Sequence, residues 1–252
     1  MEIKIVTITG ADDNTNHSDM ISISKDFPFV EWGILFSRSR QGTERYPSIE
    51  WVNELRDEWV NKLRDNIEEL GLMRTKFICS AHLCGEYATD IITKGNNKLF
   101  RDDSGIKHPI LFWRHQLNFN SQNTEVNYDY LTSHFKGLGN NTIIQYNKSN
   151  LDLCSKIISD PLINKKGVHF LYDGSGGRGV LPGEWQGVIP DRFTGYAGGL
   201  NPDNLEESLV NINKAVGDNS IWIDAETGVR TDGKLDLKKV VKFLEISSKY
   251  VK

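Results

Sequence analysis

Short, nearly continuous apolar runs alternate along the chain with longer stretches whose apolar positions recur at helical spacing. Eight runs read as strands: Ile3–Ile8, Val30–Phe36, Lys76–Ser80, Ile110–Asn118, Thr142–Tyr146, Val168–Asp173, Phe193–Ala197 and Ile221–Asp224. Several are apolar at almost every position, the pattern of a parallel strand covered on both faces. The clearest helix is Ser48–Leu70, where Ile49, Val52, Leu55, Trp59, Leu63 and Ile67 form one stripe. Tyr128–Phe135, Leu151–Ser159, Asn204–Ala215 and Leu237–Ser247 read the same way. Ser48 precedes Ile49 as a start signal, and Asn201-Pro202-Asp203 opens the helix after strand seven with an N-cap candidate.

Strand then helix, repeated about eight times, predicts an α/β chain folded as a (β/α)8 TIM barrel, one domain over 1–252. A doubly wound open sheet would want a glycine-rich turn after its first strand. Thr9-Gly10-Ala11-Asp12-Asp13 offers one glycine. The stretch Ala88–His108 is longer than an ordinary connection and carries the polar run Lys94-Gly95-Asn96-Asn97-Lys98. It reads as an insertion after strand three, placed to act as a lid.

Composition narrows the function. A chain of 252 residues buries enough surface to need no disulfide or metal staple. Its net charge of −4 argues against coating nucleic acid by bulk electrostatics. No apolar run approaches the ~18–20 residues of a membrane span, and the first residues lack a signal-peptide pattern. Three cysteines, Cys79, Cys84 and Cys154, make no disulfide framework and suit a reducing compartment. No His, Asp or Glu spacing suggests a metal site. The expectation is a cytoplasmic monomer or homodimer without membrane contact, metal or cofactor, whose partner is a small phosphorylated ligand.

In this fold the chemistry sits in the loops after the strands. After strand six comes Tyr172-Asp173-Gly174-Ser175-Gly176-Gly177-Arg178-Gly179, an acid at the barrel mouth followed by glycines that let backbone approach a ligand. An ordinary capping Asp on a flexible loop reads equally well. After strands seven and eight come Ala197-Gly198-Gly199-Leu200-Asn201-Pro202 and Asp224-Ala225-Glu226-Thr227-Gly228-Val229. Either loop alone is a tight turn; together, at these strands, they favour a phosphate gripped by backbone N–H groups.

Four stretches resemble phosphoribosylanthranilate isomerase, a barrel family of tryptophan synthesis. They are FLYDGSGGRG (Phe170–Gly179) with Glu184-Trp185, AGGLNPDN (Ala197–Asn204), IDAETGV (Ile223–Val229) with Gly233-Lys234-Leu235-Asp236, and GILF (Gly33–Phe36) with Arg45-Tyr46-Pro47-Ser48. Their order and spacing carry the likeness across most of the chain. The resemblance implies an Amadori-type isomerisation of a phosphoribosyl amine, with Asp173 as general acid and Arg45 as the active-site arginine. It places Gly198, Gly199, Thr227 and Gly228 on the phosphate loops.

There are departures. The family's base is a cysteine in a Lys-Ile-Cys-Gly run, and here the run is Lys4-Ile5-Val6-Thr7, so Val6 stands at that position. Valine cannot move a proton. Glu226 stands where the family has a serine, beside the expected phosphate; Val180 replaces a lysine and Arg230 an acid. His82, read in the loop after strand three, is a candidate replacement base, and Glu226 is another. Cys84 is a weaker candidate nucleophile. Arg114 and Gln116 read as ligand contacts at the end of strand four, Gly176 and Gly177 as ligand contacts after strand six. His115 faces either the mouth or a helix. Arg38-Ser39-Arg40 could hold a second anion or be a solvated face. Two functions follow: an isomerase- or lyase-type phosphosugar enzyme with a replaced base, or a non-catalytic protein that binds a phosphosugar or nucleotide.

Overall fold

A computed structural model describes residues 1–70, 77–96, 112–137, 141–174 and 178–252. Eight parallel strands close into a barrel in chain order, with β8 pairing back onto β1. The order is β1 (Glu2–Thr9), α1 (His17–Asp26), β2 (Val30–Phe36), α2 (Ile49–Leu70), β3 (Cys79–Cys84), α3 (Glu86–Lys94), β4 (Phe112–Asn118), α4 (Tyr128–Gly137) and β5 (Thr142–Tyr146). It continues with α5 (Leu151–Ser159), β6 (Val168–Asp173), β7 (Thr194–Ala197), α6 (Leu205–Val216), β8 (Ser220–Ala225), a hairpin of β9 (Arg230–Thr231) and β10 (Lys234–Leu235), and α7 (Leu237–Ser248). This is the (β/α)8 barrel that the alternating pattern predicts.

Local chemistry sets the helix starts. Asn16 Oδ1 accepts from the Asp19 N–H at 3.1 Å to open α1, and Ser48 Oγ accepts from the Trp51 N–H at 3.1 Å to open α2. Asp236 takes both the Lys238 and Lys239 N–H groups at the start of α7. Each satisfies a donor that the first helical turn leaves orphaned.

Three expectations need adjustment. The third strand is Cys79–Cys84, not Lys76–Ser80, so His82 lies within a strand and not in a loop. Trp32, Gly33, Ile34, Leu35 and Phe36 of β2 pair with Cys79 through Leu83, which fixes that register. Helices α1 and α3 were not read from the sequence. Their buried positions (Met20, Ile21, Ile23, Ser24; Ala88, Asp90, Ile91, Ile92) mix polar with apolar residues, which blurs the stripe. The stretch read as an insertion therefore begins inside an ordinary barrel helix, ended by Gly95 in the left-handed region; residues 97–108 lie outside the described residues. Between β6 and β7 no helix occurs among the described residues.

Strand alternation sorts side chains between the outer shell and the lumen. Towards the amino ends of the strands, Ile5, Ile143, Leu171 and Trp222 form an apolar cluster separate from the strand–helix core. Beside it lies an ion pair. Arg114 Nε and Nη2 donate to Glu31 Oε2 and Oε1 at 2.9 and 2.7 Å, and both side chains are wholly buried. Thr7 Oγ1 donates to Glu31 Oε1 at 3.0 Å. The Arg114 guanidinium stacks 4.5 Å from the centre of the Trp222 ring. His115, the next residue, points outward to α4, where its ring lies 6.4 Å from that of His134.

Two expectations follow. Removing one partner of a buried pair strands the other charge, so Arg114→Met destabilises by about 3–5 kcal/mol, read as a lower urea midpoint at unchanged slope. Adding Glu31→Leu removes the stranded charge and recovers most of that loss. A single variant as stable as the parent would mean the pair is dispensable.

Burial pushes His115 down to about 3, and His82, His134 and His169 each to about 4, from an ordinary 6.5. The unfolded chain takes up these protons below 6.5 and the folded chain only near 3–4. Stability is therefore lost as pH falls through that window. Asp224, pushed up to about 8, binds one proton more in the folded state and opposes the trend, but four histidines outweigh it. Thermal melting from pH 7 to 4.5 should show the fall, and His134→Gln should shallow it; a flat parent profile would contradict the neutral buried state.

Candidate active site

A cavity of about 670 Å³ opens at the carboxyl ends of the strands, within the range of small-molecule sites. It brings together Asp173, Arg45, His82, Glu226, Gly198, Gly199, Thr227, Gly228 and Gln116 from the sequence reading. Asp224, Tyr46, Cys84, Asn118 and Gln145 line it as well. Gly176 and Gly177 lie outside the described residues. Arg114 is not part of this wall. It sits two residues deeper on β4 than Gln116, held by Glu31 and fully buried, so the expected ligand contact does not hold.

The position of Val6 also differs from expectation. Thr7 and Thr9 turn into the lumen, where they meet Glu31 and Asp224. Val6 and Ile8 therefore turn outward, and both belong to the strand–helix core. No side chain at position 6 reaches the mouth in this register, so the inward surface of β1 there is Thr9.

Thr9 Oγ1 donates to Asp224 Oδ1 at 2.9 Å. Asp224 is buried at the end of β8, and that burial pushes its carboxyl up to about 8; neighbouring Glu226 and Glu31 add to the rise, while Thr9 and Arg114 oppose it. At neutral pH it carries a proton. Sequence reading missed it. The signal was alternation in Trp222-Ile223-Asp224, which sends the acid inward two residues above a buried Trp. Asp173 is its counterpart on β6, also buried.

His82 Nε2 lies 3.1 Å from Ser80 Oγ. Burial pulls its imidazole down to about 4, so it is neutral and a weak base at pH 7. The Cys84 thiol is raised by burial and is not a ready nucleophile. Glu226 does not stand alone: Arg45 Nη1 donates to its Oε1 at 2.9 Å and lies 3.4 Å from Thr227 Oγ1.

Arg45 has a left-handed backbone (φ 72°), a strained state for a non-glycine residue. Its N–H donates to Asp12 Oδ2 at 3.2 Å. Asp12 is in turn held by Arg230 Nη2 at 3.1 Å, and Arg230 also reaches the Gly10 and Gly233 carbonyls. Arg230 thus anchors the loop carrying Arg45 through Asp12. Arg38 is taken up by Glu86 and Asp90 on α3, and Arg40 lies over the Tyr46 ring at the cavity edge.

Loops after β6, β7 and β8 converge on one side. A Cβ on Gly228 would lie 2.0 Å from the Leu200 carbonyl oxygen. Gly199 has φ +67°, and a Cβ there would lie 2.6 Å from the Leu181 nitrogen. Only glycine allows three backbones to approach this closely. Among the described residues, no cluster of His, Cys, Asp or Glu could hold a metal ion, and no helix is long and apolar enough to cross a membrane.

Residues 145–246, from β5 into α7, match the family model described as N-(5'-phosphoribosyl)anthranilate (PRA) isomerase. The chain is similar to N-(5'-phosphoribosyl)anthranilate isomerase of Oceanobacillus iheyensis, 35% identical over 77 residues. That match covers 29% of this chain and about a third (34%) of the relative. In fold the chain is similar to a monomeric form of the dimeric phosphoribosylanthranilate isomerase of Thermotoga maritima (TM-score 0.57, 16% identity, 97% of this chain and 98% of that one). The enzyme of Pyrococcus furiosus is similar too (TM-score 0.57, 14% identity, 97% and 98%). The chain resembles the phosphoribosylanthranilate isomerase family, in sequence from β5 into α7 and in fold around the whole barrel.

Proposed function

We propose that this barrel binds a phosphorylated ribose compound and isomerises it by an Amadori-type rearrangement. One observation carries the reading: a single cavity joins the converging β6–β8 loops to two inward carboxyl groups, Asp173 and Asp224. In this reading the phosphate lies on the Gly198-Gly199 and Thr227-Gly228 loops, gripped by backbone N–H groups. Asp173 takes the general-acid role that the family resemblance implies. It protonates the ring oxygen, the C1–O bond breaks, and the amine lone pair forms an iminium at C1. A base then removes the proton on C2, giving an enol-amine that tautomerises to the amino-ketose.

Asp224 is the base in this reading. It stands on β8 beside the first strand, tied to Thr9, and so supplies from the neighbouring strand what Val6 cannot. A carboxylate with a raised pKa is a stronger base than an ordinary one. This assignment replaces His82 and Glu226 as base: the first is too weakly basic and the second is engaged by Arg45.

Ribose 5-phosphate at roughly a hundredfold its Kd should raise the melting temperature by several degrees, and ribose should not. Gly228→Ala should abolish the shift, since its Cβ meets Leu200. An equal shift with ribose, or none with any phosphorylated sugar, would remove the phosphate site.

Turnover of a phosphoribosyl amine should rise with pH through about 8, because only ionised Asp224 accepts a proton. Asp173→Asn and Asp224→Asn should each lose about 10²–10⁴-fold in kcat while melting normally. A rate that falls through pH 8 would make Asp224 the acid. Binding without any conversion would leave a non-catalytic phosphosugar-binding protein.

A further inference from the structure

Two arginines among the described residues line the cavity, Arg40 and Arg45. Arg40 lies over the Tyr46 ring, and its charge acts on Cys84 at the end of β3. Arg45 reaches the other way, across β1 to the loop after β8. Its Nη1 donates to Glu226 Oε1 at 2.9 Å and lies 3.4 Å from Thr227 Oγ1. The exposed Glu44 carboxylate stands 3.6 Å from its Nε. The side chains of Arg45 and Glu226 are each 34% exposed, so the pair lines the cavity and stays open to solvent.

Both ends of this bridge stand on fixed backbone. The Arg45 N–H is held by Asp12, which Arg230 holds in turn. Glu226 lies two residues before Gly228, where the Leu200 carbonyl leaves no room for a Cβ. Any change of partner is therefore made by the side chains. An oxyanion seated on the Thr227-Gly228 loop arrives beside Arg45, whose guanidinium already lies against the Thr227 hydroxyl. It arrives equally beside the Glu226 carboxylate. The guanidinium attracts it and the carboxylate repels it. While Glu226 holds Arg45, it offsets that cation's charge for any other anion.

We infer that Glu226 is a built-in anion that competes with the ligand's phosphate for Arg45, and so sets how tightly phosphorylated ligands are held. Binding then exchanges one partner of Arg45 for another, carboxylate for phosphate. The phosphate prevails because it carries more charge and three acceptor oxygens. The free energy of releasing Glu226 is subtracted from the affinity. The inference rests on the phosphoribosyl reading above, which puts the phosphate on this loop.

Calorimetric titration of the full chain with ribose 5-phosphate tests it. Glu226→Gln keeps the shape of the side chain and removes its charge. At low salt this variant should bind ribose 5-phosphate roughly tenfold tighter than the parent, and the gain should shrink as salt screens the site. Arg45→Gln should bind it roughly tenfold more weakly. Loss of a purely structural ion pair would lower the melting temperature and would not tighten binding. Equal or weaker binding by Glu226→Gln, or parent-like binding by Arg45→Gln, overturns the inference while the phosphate site stands. If Glu226→Gln does not fold, Glu226→Ser removes the same charge and is read the same way. Failure of the parent and of every variant to bind ribose 5-phosphate overturns the phosphoribosyl reading and this inference with it.

Discussion

The buried pair between Glu31 and Arg114 is the constraint around which the lumen is arranged. Two opposite charges placed in an apolar interior survive only with close geometry and extra hydrogen bonds. Here the pair has a two-pronged contact, the Thr7 hydroxyl on one carboxylate oxygen, and the Trp222 ring against the guanidinium. Because β2 and β4 supply the two charges across β3, the pair also ties three strands into one register. It divides the lumen: apolar residues lie towards the amino ends, hydrogen-bonding and acidic residues towards the mouth. The side chains just above it are largely buried. That is why burial dominates the titration of both His82 and Asp224, and why it drives them in opposite directions, the base towards neutrality by losing its proton and the acid by keeping one.

Much of the barrel was legible because its strands are doubly covered. Val30–Phe36, Thr142–Tyr146 and Val168–Asp173 have the bounds their patterns predict. The third strand was shifted because Phe77-Ile78, the most apolar pair of its run, precedes the ladder; register with β2, not hydropathy, sets where pairing starts. Helix α1 was missed because its buried face includes Ser24, whose hydroxyl bonds to the Met20 carbonyl and receives the Trp32 indole N–H. Such a serine counts as polar in a hydropathy pattern yet is satisfied inside. In the site, residues in loop motifs were legible, as was Gln116 inside β4, whereas Asp224 and Gln145 were not. Both occupy the last inward positions of their strands, and only correct phase, known once β1 and β8 are paired, tells an inward acid from an outward one. Val6 was set at the mouth by the match of Lys4-Ile5-Val6-Thr7 to a family run, and alternation in β1 turns it outward instead.

The charges around the mouth form one connected set. Arg230 is buried, and a buried guanidinium needs an acid; Asp12 supplies it and at the same time receives the Arg45 N–H. Arg45 in turn meets Glu226, a carboxylate that would repel a phosphate if left alone. Each charge is thus answered by another, and the two loops after β1 and β2 are fastened to the loop after β8. Substituting any one member leaves its partner exposed to the opposite problem, so these positions must be read together.

The distribution of polar groups then limits what the mouth can accept. On the side of β6 to β8, glycine is required by packing, because three backbones meet there. On the side of β3 to β5, neutral side chains are linked donor to acceptor, Gln116 to Asn118 to Cys84, and Arg40 lies at the edge over the Tyr46 ring. The two sides therefore present different groups to the same cavity, so a ligand with unlike ends is held better in one orientation than in the other.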